Sequence, residues 1–432
     1  MEYLCDTNEL RLDCLISDCM FYLLSKRIGL HTVMATNILD DVRIHTGAQD
    51  WATARFLLEQ AIAVPCVRHQ ARFMLWEVCQ VLGEPEIALS HLRAALKEYP
   101  MTHRICEAPH RRVLALMVPG DFQANLPIEI LLDGDSTELH SLWIMDPEAA
   151  LKNPRSQFPE ELPEVDCVFV AIAEDVRHQK HLMAADAIAE YLQLPVINAG
   201  SKIAQLSRTG AADLLQGIPH TIVPRPRLLT TSGLTTALNG SDIEMPIIIR
   251  PEGSHAGAFL EKASSIGEVI DYVGRHREVE SVYVAPFVNF ANADGQWRKY
   301  RIVFVEGEPY PFHLAIHHDW AIWYYNSRMD LSEAKRREEE AFLRDIRSVF
   351  SQDALNSLRK LGELVGLDYF GVDCGYTDRG EVVLFEVETG MIVHDRDPAD
   401  IYPYKKTYVP RIMRAVERMI DRKISEFRNP TF

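Results

Sequence analysis

The apolar residues of this chain change their period near residue 110, and that change constrains the fold more than any other feature. Before it, apolar side chains recur at helical spacing over Arg72–Leu82 and Glu86–Leu96, with Gly83-Glu84-Pro85 between them and Pro100 as a stop. After it come short unbroken apolar runs: Arg112–Val118, which ends at Pro119-Gly120, then Leu142–Met145 and Val165–Ile172. A helical pattern, Gln179–Leu192, separates the last of these from Leu194–Asn198. Strand, helix, strand in that order predicts a parallel α/β layer. No Gly-x-Gly-x-x-Gly follows the first strand, so a dinucleotide site is not supported.

At roughly 150 residues per domain, a chain of 432 residues allows about three domains. Apolar residues make up 47% and charged residues 25%, the balance of an ordinary globular protein. Lys plus Arg number 45 against 62 Asp plus Glu, a formal charge of −17. That acidity argues against a broad nucleic-acid surface, which needs clustered Lys and Arg, but it leaves room for a local basic pocket. Met1–Glu9 is acidic and has no basic start ahead of an apolar run. Leu15–Leu24 is interrupted by Ser17 and Asp18 and is too short to span a bilayer. Cysteines at 5, 14, 19, 66, 79, 106, 167 and 374 form no Cys-x-x-Cys pair and no zinc spacing, so they read as reduced, packed thiols. A cytoplasmic protein with no membrane partner is the expectation.

In the helical part, Gly47 precedes Trp51, Ala54, Leu57 and Ala61, and Pro65 closes the segment. Ala88, Leu92, Ala95 and Leu96 give the last helix a small-residue face, and Pro65 and Pro100 lie 35 positions apart. This resembles the tetratricopeptide repeat, a helix pair of roughly 34 residues that buries its apolar face by stacking. A generic helical-hairpin bundle is the other reading. Both make residues 1–108 an all-α interaction or docking module.

Beyond residue 200 the pattern predicts a helix over Ile203–Leu215, an extended His220–Val223, a strand over Pro246–Arg250 and a helix through Ala263–Arg275. Val282–Phe290, Tyr300–Val305 and Pro309–Ile316 read as strands; Arg336–Arg347 and Asp353–Val365 read as helices. Phe370–Gly375 and Glu381–Glu388 form two strands around Asp378-Arg379-Gly380. The run Lys335–Glu340 reads as a solvated helix face with opposite charges at contact spacing.

Two stretches carry the chemistry. Glu386 and Glu388 are two apart on a strand and so share a face. With Asp373 on the same side, three carboxylates converge, and a divalent cation is the usual resolution of that repulsion. Few carboxylate oxygens suit Mg²⁺, which keeps waters and adds substrate phosphates. A solvent-facing acidic hairpin is the alternative. The second stretch, Pro246-Ile247-Ile248-Ile249-Arg250-Pro251-Glu252-Gly253-Ser254-His255-Ala256-Gly257, is a buried strand ending in a cation and then a small-residue loop. Glycines let backbone N–H groups approach phosphate oxygens, and Arg250 adds a permanent charge. An ordinary surface turn is the bland reading. Gly-x-x-x-x-Gly-Lys-Ser/Thr, His-Glu-x-x-His and Gly-x-Ser-x-Gly are all absent from the sequence.

In order and spacing, these elements resemble the ATP-grasp superfamily of carboxylate–amine and carboxylate–thiol ligases. The likeness covers about residues 195–410, and residues 109–200 resemble the α/β domain that precedes it. The resemblance implies an α/β fold with three parts: a helical domain 1–108, a pre-ATP-grasp domain 109–200 and an ATP-grasp domain 201–432. It implies ATP and Mg²⁺, with Mn²⁺ also admitted, and an ADP-forming ligase that activates a carboxylate as an acyl phosphate for attack by an amine. By the same resemblance Asp373, Glu386 and Glu388 are the metal ligands. Arg208, Arg250, Gly253, Ser254, Gly257 and Lys299 lie along the phosphates, and His255 and Ser254 lie in the loop that closes over them. Tyr283, Ala285 and Phe287 belong to the hinge that grips adenine, and Arg301, with His255, is the catalytic group at the acyl phosphate.

The sequence departs from the family pattern at three points. Arg replaces both usual phosphate-binding lysines, Glu388 stands where Asn is usual, and Pro286 removes a hinge N–H. His313, His317 and His394 are candidates for the acceptor side of the cleft. Adjacent strand residues point to opposite faces, which argues against metal binding by His317 with His318. The partners implied are small carboxylate and amine substrates or a peptide docked by the helices, without nucleic acid or membrane; a homodimer is admitted. The rival readings are a non-catalytic nucleotide-binding interaction protein and a phosphotransferase on the same fold.

Overall fold

A computed structural model describes residues 33–158, 164–239, 244–254, 257, 259–323 and 326–430. The chain begins there with four helices, Val33–Gly47, Trp51–Ala61, Arg68–Val81 and Pro85–Glu98, each packed on the next. Asp50 caps the second, accepting from the Thr53 N–H at 3.2 Å. Pro85 opens the fourth, where its missing N–H costs nothing. The apolar face of these helices is covered by the layer that follows. Trp76 packs on Phe122 and Trp143, its Nε1 donates to the Gly120 carbonyl at 2.9 Å, and Phe73 also meets Trp143. One continuous core runs from Leu39 through this layer to the C-terminal helix.

The layer is a mixed sheet of β1 (Met101–Arg104), β2 (Arg111–Met117), β3 (Thr137–Trp143), β4 (Cys167–Val170) and β5 (Val196–Ile197), in the order β1-β3-β2-β4-β5. β2 to β5 pair in parallel, as the strand–helix–strand pattern predicts, and the helix Gln179–Leu192 has the predicted bounds. β1 was not expected, because two of its four residues, Thr102 and His103, are polar and exposed or half-exposed.

β6 (Thr221–Ile222) leaves this layer, and β7 (Arg227–Thr230), β8 (Ile247–Pro251), β9 (Glu261–Ala263) and β10 (Ser281–Pro286) then form a four-stranded antiparallel sheet, β7-β10-β8-β9. It has its own core, with Ile247, Ile249, Val282 and Val284 against Val269 and Tyr272 of the helix Ile266–Arg275. The third sheet has the order β12-β11-β13-β14-β6, built from β11 (Trp297–Val305), β12 (Glu308–His317), β13 (Tyr369–Tyr376) and β14 (Val382–Glu388). Glu306 and Gly307, with φ of 55° and 80°, make the two-residue turn between β11 and β12.

Two local expectations are corrected and one element is added. The helix expected over 203–215 is two helices, Gly200–Ile203 and Arg208–Leu215, because the Ser207 hydroxyl accepts from the Gly210 N–H at 3.1 Å and starts a second one. Arg208 therefore stands at a helix start. The Lys335–Glu340 run is not a solvated face throughout: Glu339 is fully buried, on the helix Glu333–Arg344, because cationic and hydroxyl partners meet it there. Finally, the longest described helix, Pro410–Arg428, was not foreseen. It ties the first sheet to the third, with Asp421 taking both Arg111 Nε and Nη2 at 2.7 and 2.9 Å and Lys423 meeting Asp368 at 2.8 Å.

No described helix is long and apolar enough to cross a membrane. Cys66, Cys79, Cys106, Cys167 and Cys374 are free thiols, whereas Cys5, Cys14, Cys19 and the Leu15–Leu24 stretch lie outside the described residues.

Candidate functional site

The end of β14 is where all three sheets meet. Strand register sets the central row: Arg301 of β11 lies opposite Asp373 of β13, which lies opposite Glu386 of β14. One step along, Glu388 faces Gly371. A Cβ on Gly371 would sit 2.0 Å from Met391 Sδ, so glycine lets the chain after β14 fold back over the row. Beyond Glu388, the Thr389 hydroxyl accepts from the Glu174 N–H at 2.8 Å, which brings the loop after β4 to the same place.

The cations come from different elements and divide between the two central carboxylates. Asp373, almost fully buried, accepts from Arg301 Nε and Nη2 at 2.8 and 3.1 Å and from Lys299 Nζ at 3.1 Å. Glu386 pairs with Arg208 at 2.6 Å and with Arg250 at 3.5 Å. Arg250, on β8 opposite Tyr283 of β10, also holds the small-residue loop, donating from Nε to Ser254 Oγ at 3.2 Å and from Nη2 to the Ser254 carbonyl at 2.5 Å. Gly253 and Gly257 take φ of 69° and 76°, the left-handed turns for which that loop needs glycine.

Electrostatics separates these acids into two kinds. Burial pushes Asp373 up, yet Arg301 and Lys299 outweigh it and hold the carboxyl well below the usual range. Burial likewise opposes Glu386, but Arg208 and then Arg250 keep it low. Glu388 is the reverse case. Burial, then the Glu386 charge, push it up to about 7, and its close polar contact is the Gly390 N–H at 3.3 Å. Glu174 is also pushed up to about 7, by burial and by Asp175, with Glu388 adding to the effect. Arg250 falls to about 10 through burial beside Arg208 and stays charged at neutral pH.

The remaining predicted residues are placed as follows. Ala285 ends the paired part of β10 with Pro286, and Phe287 lies beyond it against Trp297 and Trp320, with Lys262 Nζ 3.9 Å from its ring centre. His255 lies outside the described residues. His313 is drawn into a buried ion network: its Nδ1 is 2.5 Å from Glu339 Oε1, Tyr404 donates to Glu339 Oε2 at 2.5 Å, and Lys405 pairs with Asp397 at 3.0 Å. His394 borders the same network, packed on Phe312, and burial pushes it down to about 4. His317 is the last residue of β12, and its ring centre lies 4.1 Å from that of His318, the planes tilted by 41°. Strand alternation ends there, so the expectation that the two rings diverge does not hold.

The sequence reading missed Glu174 and Thr389. Glu174 follows the carboxyl end of a parallel strand, the position where α/β sheets place their ligand crevice, and that rule was the available signal.

No protein-family model and no curated protein matches this chain. Solved structures similar to it include a D-alanine–D-alanine ligase from Bacillus anthracis complexed with ATP, 12% identical over 74% of this chain and 100% of that one, with a TM-score of 0.43. The VanG D-Ala:D-Ser ligase from Enterococcus faecalis is 13% identical over 74% and 99% of the two chains, TM-score 0.44. The D-alanine–D-alanine ligase from Coxiella burnetii is 12% identical over 74% and 96%, TM-score 0.44.

Among the described residues, no group of three His, Cys, Asp or Glu side chains is already arranged around a common cation position. The donor chemistry nevertheless fits a hard divalent ion. Asp373 and Glu386 stay ionised in a buried setting, and Glu388 is a third carboxyl beside them, pushed up to about 7 by burial and the Glu386 charge.

Proposed function

We propose that this protein is an ATP-dependent, ADP-forming ligase that activates a substrate carboxylate as an acyl phosphate for attack by an amine. One observation carries the reading: Arg208, Arg250, Lys299 and Arg301 converge on a row of buried carboxylates where the three sheets meet. Fixed cations of this kind suit a polyphosphate and the charge that develops on a phosphoryl or acyl oxygen. Permanently charged guanidinium groups add two-point recognition of phosphate oxygens. In this reading Arg208 and Arg250 bind the phosphates, with the Gly253–Ser254 loop and Gly257 beside them. Tyr283, Ala285 and Phe287 border the base.

Asp373, Glu386 and Glu388 would hold Mg²⁺ or Mn²⁺, which when bound supplies Lewis-acid neutralisation of phosphate charge. Arg301, fixed by Asp373, orients the acyl oxygen, and Lys299 steadies the same carboxylate. The helices from Val33 to Glu98, the α/β sheet that β1 (Met101–Arg104) joins, and residues 201–432 are then a helical unit, an α/β unit and the catalytic unit. The acceptor is a small amine or an amine-bearing peptide.

The test is a screen of carboxylic acids with ATP, Mg²⁺ and hydroxylamine. A hydroxamate formed together with ADP, and lost in Arg301→Gln, is the expected result. ADP formation on hydroxyl compounds alone, with no hydroxamate from any acid, would establish a phosphotransferase instead.

A further inference from the structure

Glu386 occupies the position of an anion between two arginines. Arg208 reaches it from the start of the helix Arg208–Leu215 at 2.6 Å, and Arg250 reaches it from the second sheet at 3.5 Å. Neither arginine is on the surface: their side chains are 26% and 15% exposed, and the carboxylate between them is 26% exposed. A phosphate group that engaged both guanidinium groups would have to take them from Glu386. The carboxylate would then be left beside Asp373, its cross-strand partner, and Glu388, two residues along, with neither arginine facing it.

We infer that Glu386 is a built-in counter-ion that keeps the arginine pair closed to polyphosphate until a divalent cation arrives to take the carboxylate. The inference rests on the nucleotide reading above and deepens it. Each ligand relieves the cost that the other imposes. Polyphosphate alone strands Glu386, and the cation alone must approach a carboxylate already paired with two positive charges. Binding of the two is therefore mutually dependent, and linkage requires each to raise the affinity for the other by the same factor. The Arg250–Glu386 pair also links the second sheet to the third, because Arg250 lies on β8 and Glu386 on β14.

The probe is inorganic tripolyphosphate, with a chelator present, titrated calorimetrically into the native protein and Glu386→Gln. The amide keeps the shape and removes the competing charge. It should bind tripolyphosphate at least about fivefold more tightly than the native protein without any metal, the lower end of ordinary coupling between sites. Arg208→Gln provides the converse, and it decides the matter should Glu386→Gln fail to fold. With one arginine gone, Mn²⁺ alone, followed by the resonance of the free ion, should bind at least about fivefold more tightly than to the native protein. Equal tripolyphosphate affinity in native protein and a folded Glu386→Gln, or no gain for Mn²⁺ in Arg208→Gln, would overturn the inference. Native protein titrated with ATP and Mg²⁺ separates the two proposals. Binding there without the variant effects leaves the ligase reading standing alone. The variant effects without any ATP binding sink the ligase reading and keep the counter-ion.

Discussion

At the scale of single residues, the site is a contest between burial and charge. Asp373 and Glu386 sit close to each other and remain ionised, because each has two cations within reach. Among the described residues Glu388 has none at hydrogen-bonding distance, and it is pushed up to about 7 by burial and by Glu386. That difference has a definite consequence for stability. The folded pKa of Glu388 lies above the ordinary carboxyl value of 4.5, so the folded protein holds this proton more tightly than the unfolded chain. The contribution is complete below about 4.5 and disappears as pH rises through about 7. Glu388→Gln, which cannot ionise, escapes the loss. In metal-free protein, the stability of this variant relative to native should rise between pH 5 and pH 7 and level off above. Urea unfolding at several pH values measures it, and a difference that stays constant across that range would contradict the assignment.

At the scale of elements, register and close approach position the chemistry. The helix Gln352–Val365 crosses the β11–β12 turn so closely that a Cβ on Gly362 would lie 2.5 Å from the Gly307 carbonyl oxygen. Helix propensity alone favours Gly→Ala by about 1 kcal/mol, but here the contact is backbone against backbone and cannot yield. Gly362→Ala should therefore lower stability by about 1–3 kcal/mol, the usual penalty of overpacking. A variant as stable as native would show that the helix is free to shift.

The carboxylate row was legible in the sequence because a period of two fixes which strand residues share a face, and Glu386 and Glu388 obey it. The cross-strand position of Arg301 was not legible from spacing, since register depends on the Glu306–Gly307 turn and on irregularities near Arg301 and Asp373. The break before Arg208 turned on a single serine cap. Glu339 was misread because its helix is charged on nearly every side, and only the partners brought by β12 and the Tyr404–Lys405 turn show which charge faces inward.

At the scale of the whole molecule, three sheets and the helix Pro410–Arg428 bring together residues far apart in the chain. Arg208, Arg250, Lys299 and Arg301 serve one small volume although they come from a helix start, the second sheet and the third sheet. The helices before residue 100 share the core of the first sheet rather than standing apart from it. An anion bound at the junction would thus be held by several elements at once, and its binding would register in the stability of the entire fold. That makes thermal unfolding with ATP, with and without Mg²⁺, the most direct test of the central claim. ATP at about 100 times its dissociation constant adds ~2.7 kcal/mol to stability, a readily detected shift. The account predicts a shift that requires Mg²⁺ in the native protein and vanishes when Arg208 and Arg250 are both replaced by Gln. An unfolding temperature unmoved by ATP and Mg²⁺, in native protein and double variant alike, would contradict it.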